Sequence, residues 1–528
     1  MSRRRPARWA LRAAVYGGSA VAATWPLVLH PTLTTVGGVR TDVYNALWSY
    51  WFVAHGLAEG RFPTHTTLLD YPSGGTLLVA DPLNAALAAP ITLAWGATLA
   101  YALTVLVHVT LGGLFADALG RRLGGRGWIA GLAYVWAPIC LSHLQNGSSE
   151  AVALAWLPLA GLLAARATEP EGRSWLRVPL AGLGLALAAV GGGWYAGVGA
   201  FLLVGSLALF QKGGWRLWPA LVLATLLLLP LAHAYNLASH AADGLVDIKS
   251  AETLARLRRT VGAADPRVFV MPGDFRAPDF SHLEQNASDL VHTAYLGFVL
   301  LGLAAWKGRS RALWLTTVAS LVLAMGPVLV INGGPVPWHM HALPLPYAAL
   351  ERLPGFDGLS LLYRIATVAP LALGLLADRA PGWLGAFIVA ESLLISPARH
   401  LPEVSDASAP APLVTLRDAP DGAVVSLPAG YARTRLFEQS VHGHPLTASL
   451  NSGMNAAGLR VLADLRKVAR NELPWEDAVT RATGLGVRYV VVHPHVAIEA
   501  TFRTSVRALK DHATLLAEDD ERKVWALY

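Results

Sequence analysis

The chain has almost no cysteine and little charge. Its one cysteine, Cys140, stands alone in 528 residues, which excludes a disulfide within the chain and any cysteine metal cluster. Asp, Glu, Lys and Arg make up 15% of the residues, against about a quarter in an ordinary soluble protein. A phosphate loop is missing too: VGGGWYAG, 190–197, has no Gly-Lys-Ser/Thr after it and reads as a tight turn between spans. The place of charge is taken by apolar residues, 54% of the chain, in runs of 15 to 22 that recur from residue 10 to residue 396. Each run is near the length that crosses a hydrocarbon core of about 30 Å. After 397 the text turns charged and proline-bearing. The pattern predicts an all-α polytopic membrane domain, 1–396, and a soluble α/β domain, 397–528.

The net charge of +7 does not point to nucleic acid, because the basic residues sit in short loops between apolar runs. Such clusters mark the cytoplasmic side of a membrane. Arg3, Arg4, Arg5, Arg8 and Arg12 place the N-terminus inside, and Arg121, Arg122 and Arg126 belong there as well. That leaves 82–97 as a juxtamembrane or re-entrant helix. About eleven spans result, at roughly 10–30, 99–120, 127–143, 150–167, 176–193, 194–211, 216–235, 291–306, 311–331, 364–379 and 382–396. The first run also has the look of a signal peptide with a cleavage site at Ala20-Val21-Ala22, but its apolar text continues to Leu29, which favours an uncleaved helix. The connections 31–98, 236–290 and 332–363, and the tail, fall outside the cytoplasm. The expected location is a cell membrane, crossed many times.

The first outer loop opens with TDVYNALWSYW, 41–51. Asp42 follows the first span directly, and Tyr44, Trp48, Tyr50, Trp51 and Phe52 suit a helix lying at the lipid surface. A carboxylate there can accept the proton of an acceptor hydroxyl. It fits equally well as an N-cap, with Asn45 three residues on. A departing phosphate needs cationic stabilisation, and Arg40, Arg61 and Arg364 are positioned for it; His55 lies between the first two. Asp70, Asp81 and Glu150 are secondary acids or oxygen ligands for a divalent metal. Each has a plainer alternative: Asp81 before Pro82 reads as a helix cap, Arg364 as a headgroup anchor, and Glu150 as a neighbour of a cap.

In the outer connection 236–290, Arg256, Arg258 and Arg259 can meet a lipid phosphate or rest on anionic headgroups. In the tail, AVVSLPA (423–429) and VRYVVVH (487–493) read as strands, 456–473 as an amphipathic helix, and LLAEDDERKVWAL as a hairpin turned at Asp519-Asp520. The expected job of the tail is to cover the site or hold an acceptor. The pairs His339/His341, His442/His444 and His493/His495 have the spacing of metal pairs, but each lacks a third ligand nearby in sequence and reads as loop or strand-end histidines.

Taken in order, Asp42, the helix 43–59, the loop GRFPTHTTLLDYPSGGTLLVADPLN, an interfacial helix, a span ending RRLGGR and Glu150 in SHLQNGSSE resemble the C-type (GT-C) membrane glycosyltransferases. That superfamily includes protein O-mannosyltransferases and lipid aminoarabinose transferases. DYPSGGTL, HTAYLG (292–297), LPGFDGLSLLYR (353–364), VVSLPAG (424–430) and GVRYVVVH (486–493) are similar to the texts of bacterial membrane proteins described as glycosyltransferases. The resemblance implies a polyprenyl-phosphate-linked sugar donor, an acceptor outside the cytoplasm, Asp42 and Glu150 as the catalytic acids, and substrate contacts from Arg40, His55, Arg61, Asp70, Asp81 and Arg364. Two other classes stay open: a transporter or flippase of envelope precursors, and a non-catalytic scaffold. Transporters carry ionisable residues in mid-span; here Asp117 and Glu391 are the exceptions in otherwise apolar runs.

Overall fold

The computed structural model describes the chain except for residues 1–3, 40, 63, 170–173, 240, 242, 246–250, 275–289, 340, 354, 396–400, 429–431, 451–452, 497 and 499. Helices α1 (Arg4–Ala23), α2 (Val43–Ala58), α3 (Pro82–Trp95) and α4 (Ala97–Arg122) open it. α1 packs on α4, and α2 packs on α3. Asp81 caps α3, Pro82 takes its first position, and Gly96, at φ 92°, ends it. Its 14 residues reach about 21 Å at 1.5 Å each, short of a hydrocarbon core of about 30 Å.

The next two expected spans are interrupted. The run 127–143 divides into α5 (Trp128–Val135) and α6 (Pro138–Asn146), because Pro138 lacks the donor that would continue the first helix and starts a second. The run 150–167 divides into α7 (Ser149–Val152) and α8 (Trp156–Ala167). Continuing helices are α9 (Ser174–Gly191), α10 (Gly193–Phe210), α11 (Trp218–Ser239), α12 (Ala251–Arg258), α13 (Phe298–Lys307), α14 (Arg311–Ala324), α15 (Tyr347–Leu350), α16 (Val368–Ala377) and α17 (Gly385–Leu394). The span expected from 291 begins only at Phe298. Residues 291–297 are non-helical, and Val291 is held to the Asn146 side chain by two hydrogen bonds of 2.8 Å.

Among the described residues, Ala97–Arg122, Gly193–Phe210 and Gly214–Ala238 are long and apolar enough to cross a membrane, and shorter apolar helices accompany them. α8 packs on α9, α9 on α11, α10 on α14, and α16 on both α14 and α5. The two ionisable residues inside runs have structural partners. Asp117 lies 2.9 Å from Arg12 Nε and 2.7 Å from Arg121 Nε. Glu391 accepts from the Tyr295 hydroxyl at 2.7 Å and from Phe298 and Val299 N–H at 2.6 and 3.0 Å, which caps α13.

The tail joins the helical part at β1 (Thr34–Val36), which pairs antiparallel with β2 (Val404–Asp406). Four strands follow: β3 (Ala423–Leu427), β4 (Val487–Val492), β5 (Thr514–Glu518) and β6 (Lys523–Ala526), in spatial order β5-β6-β4-β3. β3 and β4 are parallel, and the other pairings are antiparallel. Helices α18 (Ala411–Arg417), α19 (Ala432–His442), α20 (Ala456–Val468), α21 (Trp475–Gly484) and α22 (Ala500–His512) surround the sheet. Side chains alternate across a strand, and the two faces enter different cores. Val425, Leu427, Val490 and Val492 pack with Val461, Leu462 and Leu465 of α20. Val424, Tyr489 and Val491 turn the other way, into the hydrophobic cluster that also contains the helical bundle.

Candidate active site

Asp42 occupies the N-cap position of α2 but makes no cap hydrogen bond with its side chain. The cap alternative for Asp42 therefore does not hold. Its Oδ1 lies 2.8 Å from Arg433 Nη2 of α19, and its Oδ2 accepts from the Ser148 hydroxyl at 3.3 Å. The backbone around Ser148 comes this close because Gly147 sits between. Gly147 has φ +59°, and a Cβ there would meet Val43 at 2.6 Å. Asp42 N–H donates to Asn146 O at 3.0 Å, completing the seam between α2 and the end of α6.

Ser148 also accepts from Arg364 Nη2 at 3.3 Å, and Arg364 Nη1 donates to Glu150 Oε1 at 3.2 Å. Asp42, Ser148, Arg364 and Glu150 thus form one continuous polar chain drawn from three separate segments. Arg364 is buried, not at a headgroup surface, and its Nε has no hydrogen-bond partner among the described residues. A cavity of about 20 Å³, room for about one water, lies against Arg364, Glu150, Tyr195, His143 and Thr367. Tyr195 positions the arginine's loop, its hydroxyl accepting from Ser360 and Leu361 N–H at 3.1 and 2.9 Å. The run 190–197, expected as a turn, is helical except at Gly192, where α9 gives way to α10, and Gly193, at φ +74°, leaves room for Glu150.

Asp81 is fully buried beneath this site. It accepts from Asn84 N–H at 3.3 Å and from Asn84 Nδ2 at 2.7 Å, so its cap role is real. Burial first, and then the charge of Glu150, push its carboxyl up to about 8. A third carboxyl is therefore within electrostatic reach of Glu150, but it faces inward.

The other expected substrate contacts lie elsewhere. His55 and Arg61 stand at the far end of α2 and line a cavity of about 430 Å³ with Trp51, Phe52, Glu59 and His65. Arg61 pairs with Glu59, and His55 Nδ1 is 2.8 Å from Trp51 O. Asp70 sits at φ 53° in the DYPSGG turn, its N–H donating to Ala448 O of the tail at 2.9 Å. Arg40 lies outside the described residues. Arg258 and Arg259 contact Glu351 at 3.5 and 2.5 Å, tying α12 to the 351–360 loop. Among the described residues, no three His, Cys, Asp or Glu side chains are gathered to hold a metal ion, so Asp70, Asp81 and Glu150 do not form a ligand set.

Sequence reasoning passed over Ser148, Gly147, Tyr195 and Arg433. The first two were visible only inside Asn146-Gly-Ser148, which reads as a glycosylation signal. Arg433 carried no signal at all, since nothing in ARTRLFEQ indicates a meeting with the first loop.

The helical fold is similar to that of solved membrane glycosyltransferases. No family model and no curated protein matches the chain. Among solved structures it is similar to the arabinofuranosyltransferase AftD from Mycobacteria, with a TM-score of 0.58 and 15% identity over 98% of this chain and 40% of that one. It is similar also to the oligosaccharyltransferase of Archaeoglobus fulgidus, with a TM-score of 0.50 and 13% identity over 91% of this chain and 68% of that one. ArnT from Cupriavidus metallidurans, bound to undecaprenyl phosphate, aligns with a TM-score of 0.49 and 13% identity over 99% and 98% of the two chains. The present chain spans two fifths of the AftD structure.

Proposed function

We propose that this protein transfers a sugar from a polyprenyl-phosphate-linked donor to an acceptor hydroxyl at the outer face of the membrane. The observation that carries the reading is the continuous chain Asp42–Ser148–Arg364–Glu150, set in a fold shared with glycosyltransferases. Asp42 is the base. Its carboxylate is partly open to water, 35% exposed, so an acceptor can reach it. The acceptor oxygen bonds to the anomeric carbon as its proton passes to Asp42, and the bond from that carbon to the phosphate oxygen breaks. Arg364, held by Glu150, supplies fixed positive charge beside the reacting groups, which is worth most where water is excluded.

A donor on a lipid carrier suits a site built between the first loop and the helical bundle, because such a donor cannot leave the bilayer. We place the N-terminus in the cytoplasm and the site and the 397–528 domain outside it, with about eleven membrane passages. Basic short loops on the opposite side support that orientation. The transporter alternative is weakened by Asp117 and Glu391, which are engaged in packing and capping. The test is purified protein in nanodiscs, supplied with a panel of radiolabelled polyprenyl-phosphate sugars. Release of sugar from one of them, abolished by Asp42→Asn, is expected. Release from none overturns the reading, and equal release by the variant takes the role of base away from Asp42.

A further inference from the structure

Arg433 stands in the first turn of α19, and firm contacts hold that helix along α2. Phe437 stacks on Tyr44 with ring centroids 5.0 Å apart. Trp48 Nε1 donates to Gln439 Oε1 at 2.8 Å, and Gln439 Nε2 donates to Leu68 O at 2.6 Å. Behind the helix, buried Glu438 accepts from Arg522 Nε at 2.7 Å and lies 3.2 Å from His493 Nε2. α19 is thus held through Phe437, Glu438 and Gln439, one turn from Arg433, which meets Asp42.

The Asp42–Arg433 pair is different in kind from those contacts. Each side chain is 35% exposed, and an ion pair open to water is worth only roughly 0.2–1 kcal/mol. Phosphate oxygens accept well from a guanidinium, in charge-assisted bonds that match its fork. An arriving phosphate can therefore exchange with the Asp42 carboxylate at small cost. While the pair stands, Asp42 Oδ1 is occupied by Arg433 and Oδ2 by Ser148. Each oxygen thus already accepts from one donor, and the guanidinium is the charged one of the two.

Resting on the glycosyltransferase reading, we propose that Asp42 and Arg433 form an exchangeable lock. The phosphate of the lipid-linked donor takes Arg433, and the Asp42 carboxylate is thereby released to accept the proton of the acceptor. In the transfer the acceptor oxygen bonds to the anomeric carbon and its proton goes to Asp42. The anomeric carbon–oxygen bond breaks, and the phosphate departs with the electron pair, held by Arg433. The lock sets an order: the base becomes free only when the donor is in place. It also makes the tail part of the site rather than a cover over it.

The test measures binding of undecaprenyl phosphate to the full chain in nanodiscs. Arg433→Gln is expected to weaken it about 10- to 100-fold, the loss of a hydrogen bond between charged groups. Asp42→Asn, by removing the carboxylate that competes with the phosphate for Arg433, is expected to tighten it by up to about fivefold. Inorganic phosphate should compete with the lipid in the wild type and not in Arg433→Gln, which separates recognition of the phosphate from recognition of the lipid tail. Normal binding by a normally folded Arg433→Gln overturns the lock but leaves the transferase reading standing. No binding by the wild type overturns both. Should Arg433→Gln fail to fold, Asp42→Asn decides alone: tighter binding supports the lock, while unchanged or weaker binding overturns it.

Discussion

The two ends of α2 carry similar text and end in different structures. At its start, Asp42 meets Ser148 and Arg433, and through Ser148 it joins Arg364 and Glu150. These partners come from three places far apart in the chain. At its end, Trp51, His55, Glu59 and Arg61 line a roomy cavity, and the polar groups named there find partners within a few residues. A charge that satisfies itself locally asks nothing of the fold. A charge whose partner is remote is held only if the whole tertiary structure brings that partner in. Groups with opposed demands then face each other in a fixed geometry, and that is what chemistry requires.

The sharpest way to break this contrast is Asp42→Asn. Turnover of a lipid-linked sugar should fall about 10²- to 10⁴-fold, the usual loss of general-base help. Thermal unfolding should stay near that of the wild type, because no cap bond is lost with the carboxylate. Near-normal turnover would move the role of base to Glu150.

Next in size is Glu150→Ala. It strips Arg364, which is buried, of its carboxylate partner, and an uncompensated buried charge costs about 3–5 kcal/mol. Glu150 itself is 21% exposed, so the lower end is expected, read as a drop in the unfolding midpoint together with lost activity. A variant as stable as the wild type would mean that the Glu150–Arg364 pair is not what holds the site.

Asp81 gives a pH signature. Its carboxyl is raised from 3.8 to about 8 in the folded chain, so the fold binds a proton that the unfolded chain has already lost in that range. This contribution to stability is complete below about pH 4 and disappears as pH rises through 8. Asp81→Asn keeps the shape without the charge. Its unfolding midpoint should fall less steeply between pH 5 and 8.5 than that of the wild type, and parallel profiles would remove Asp81 from the account.

The smallest effects are expected at the other end of α2. His55→Ala and Arg61→Ala should alter stability by about 0.5 kcal/mol or less, as exposed substitutions do, and turnover by less than about threefold. A hundredfold loss from Arg61→Ala would erase the contrast between the two ends and return that residue to the site.

Much of this is legible in the sequence. Hydropathy alone shows where the apolar helices run, because an apolar run must be buried in protein or lipid whatever its neighbours are. Asp81 before Pro82 announced a helix start, and AVVSL and VRYVVV announced strands, because caps and alternation are local rules. The breaks in 127–152 were harder to see. Pro138 was in plain view, but an apolar run around a proline reads as one span until the chain is seen to turn there. Glu391 illustrates the same limit: it read as an ionisable residue stranded in a span, and only the approach of Phe298 and Val299 shows that it is a cap.

Hydropathy and charge along the chain were enough to predict a helical membrane protein with a strand-bearing tail, and they picked out Asp42, Glu150 and Arg364 one at a time. Those are properties of single residues and short windows: hydrophobicity, charge, and position next to an apolar run. Which charges meet is settled by packing. Gly147 lets the backbone before Ser148 lie against α2, Tyr195 holds the loop that carries Arg364, and α19 delivers Arg433 from the tail. A long-range pairing depends on how every intervening segment packs, and no local window contains that information.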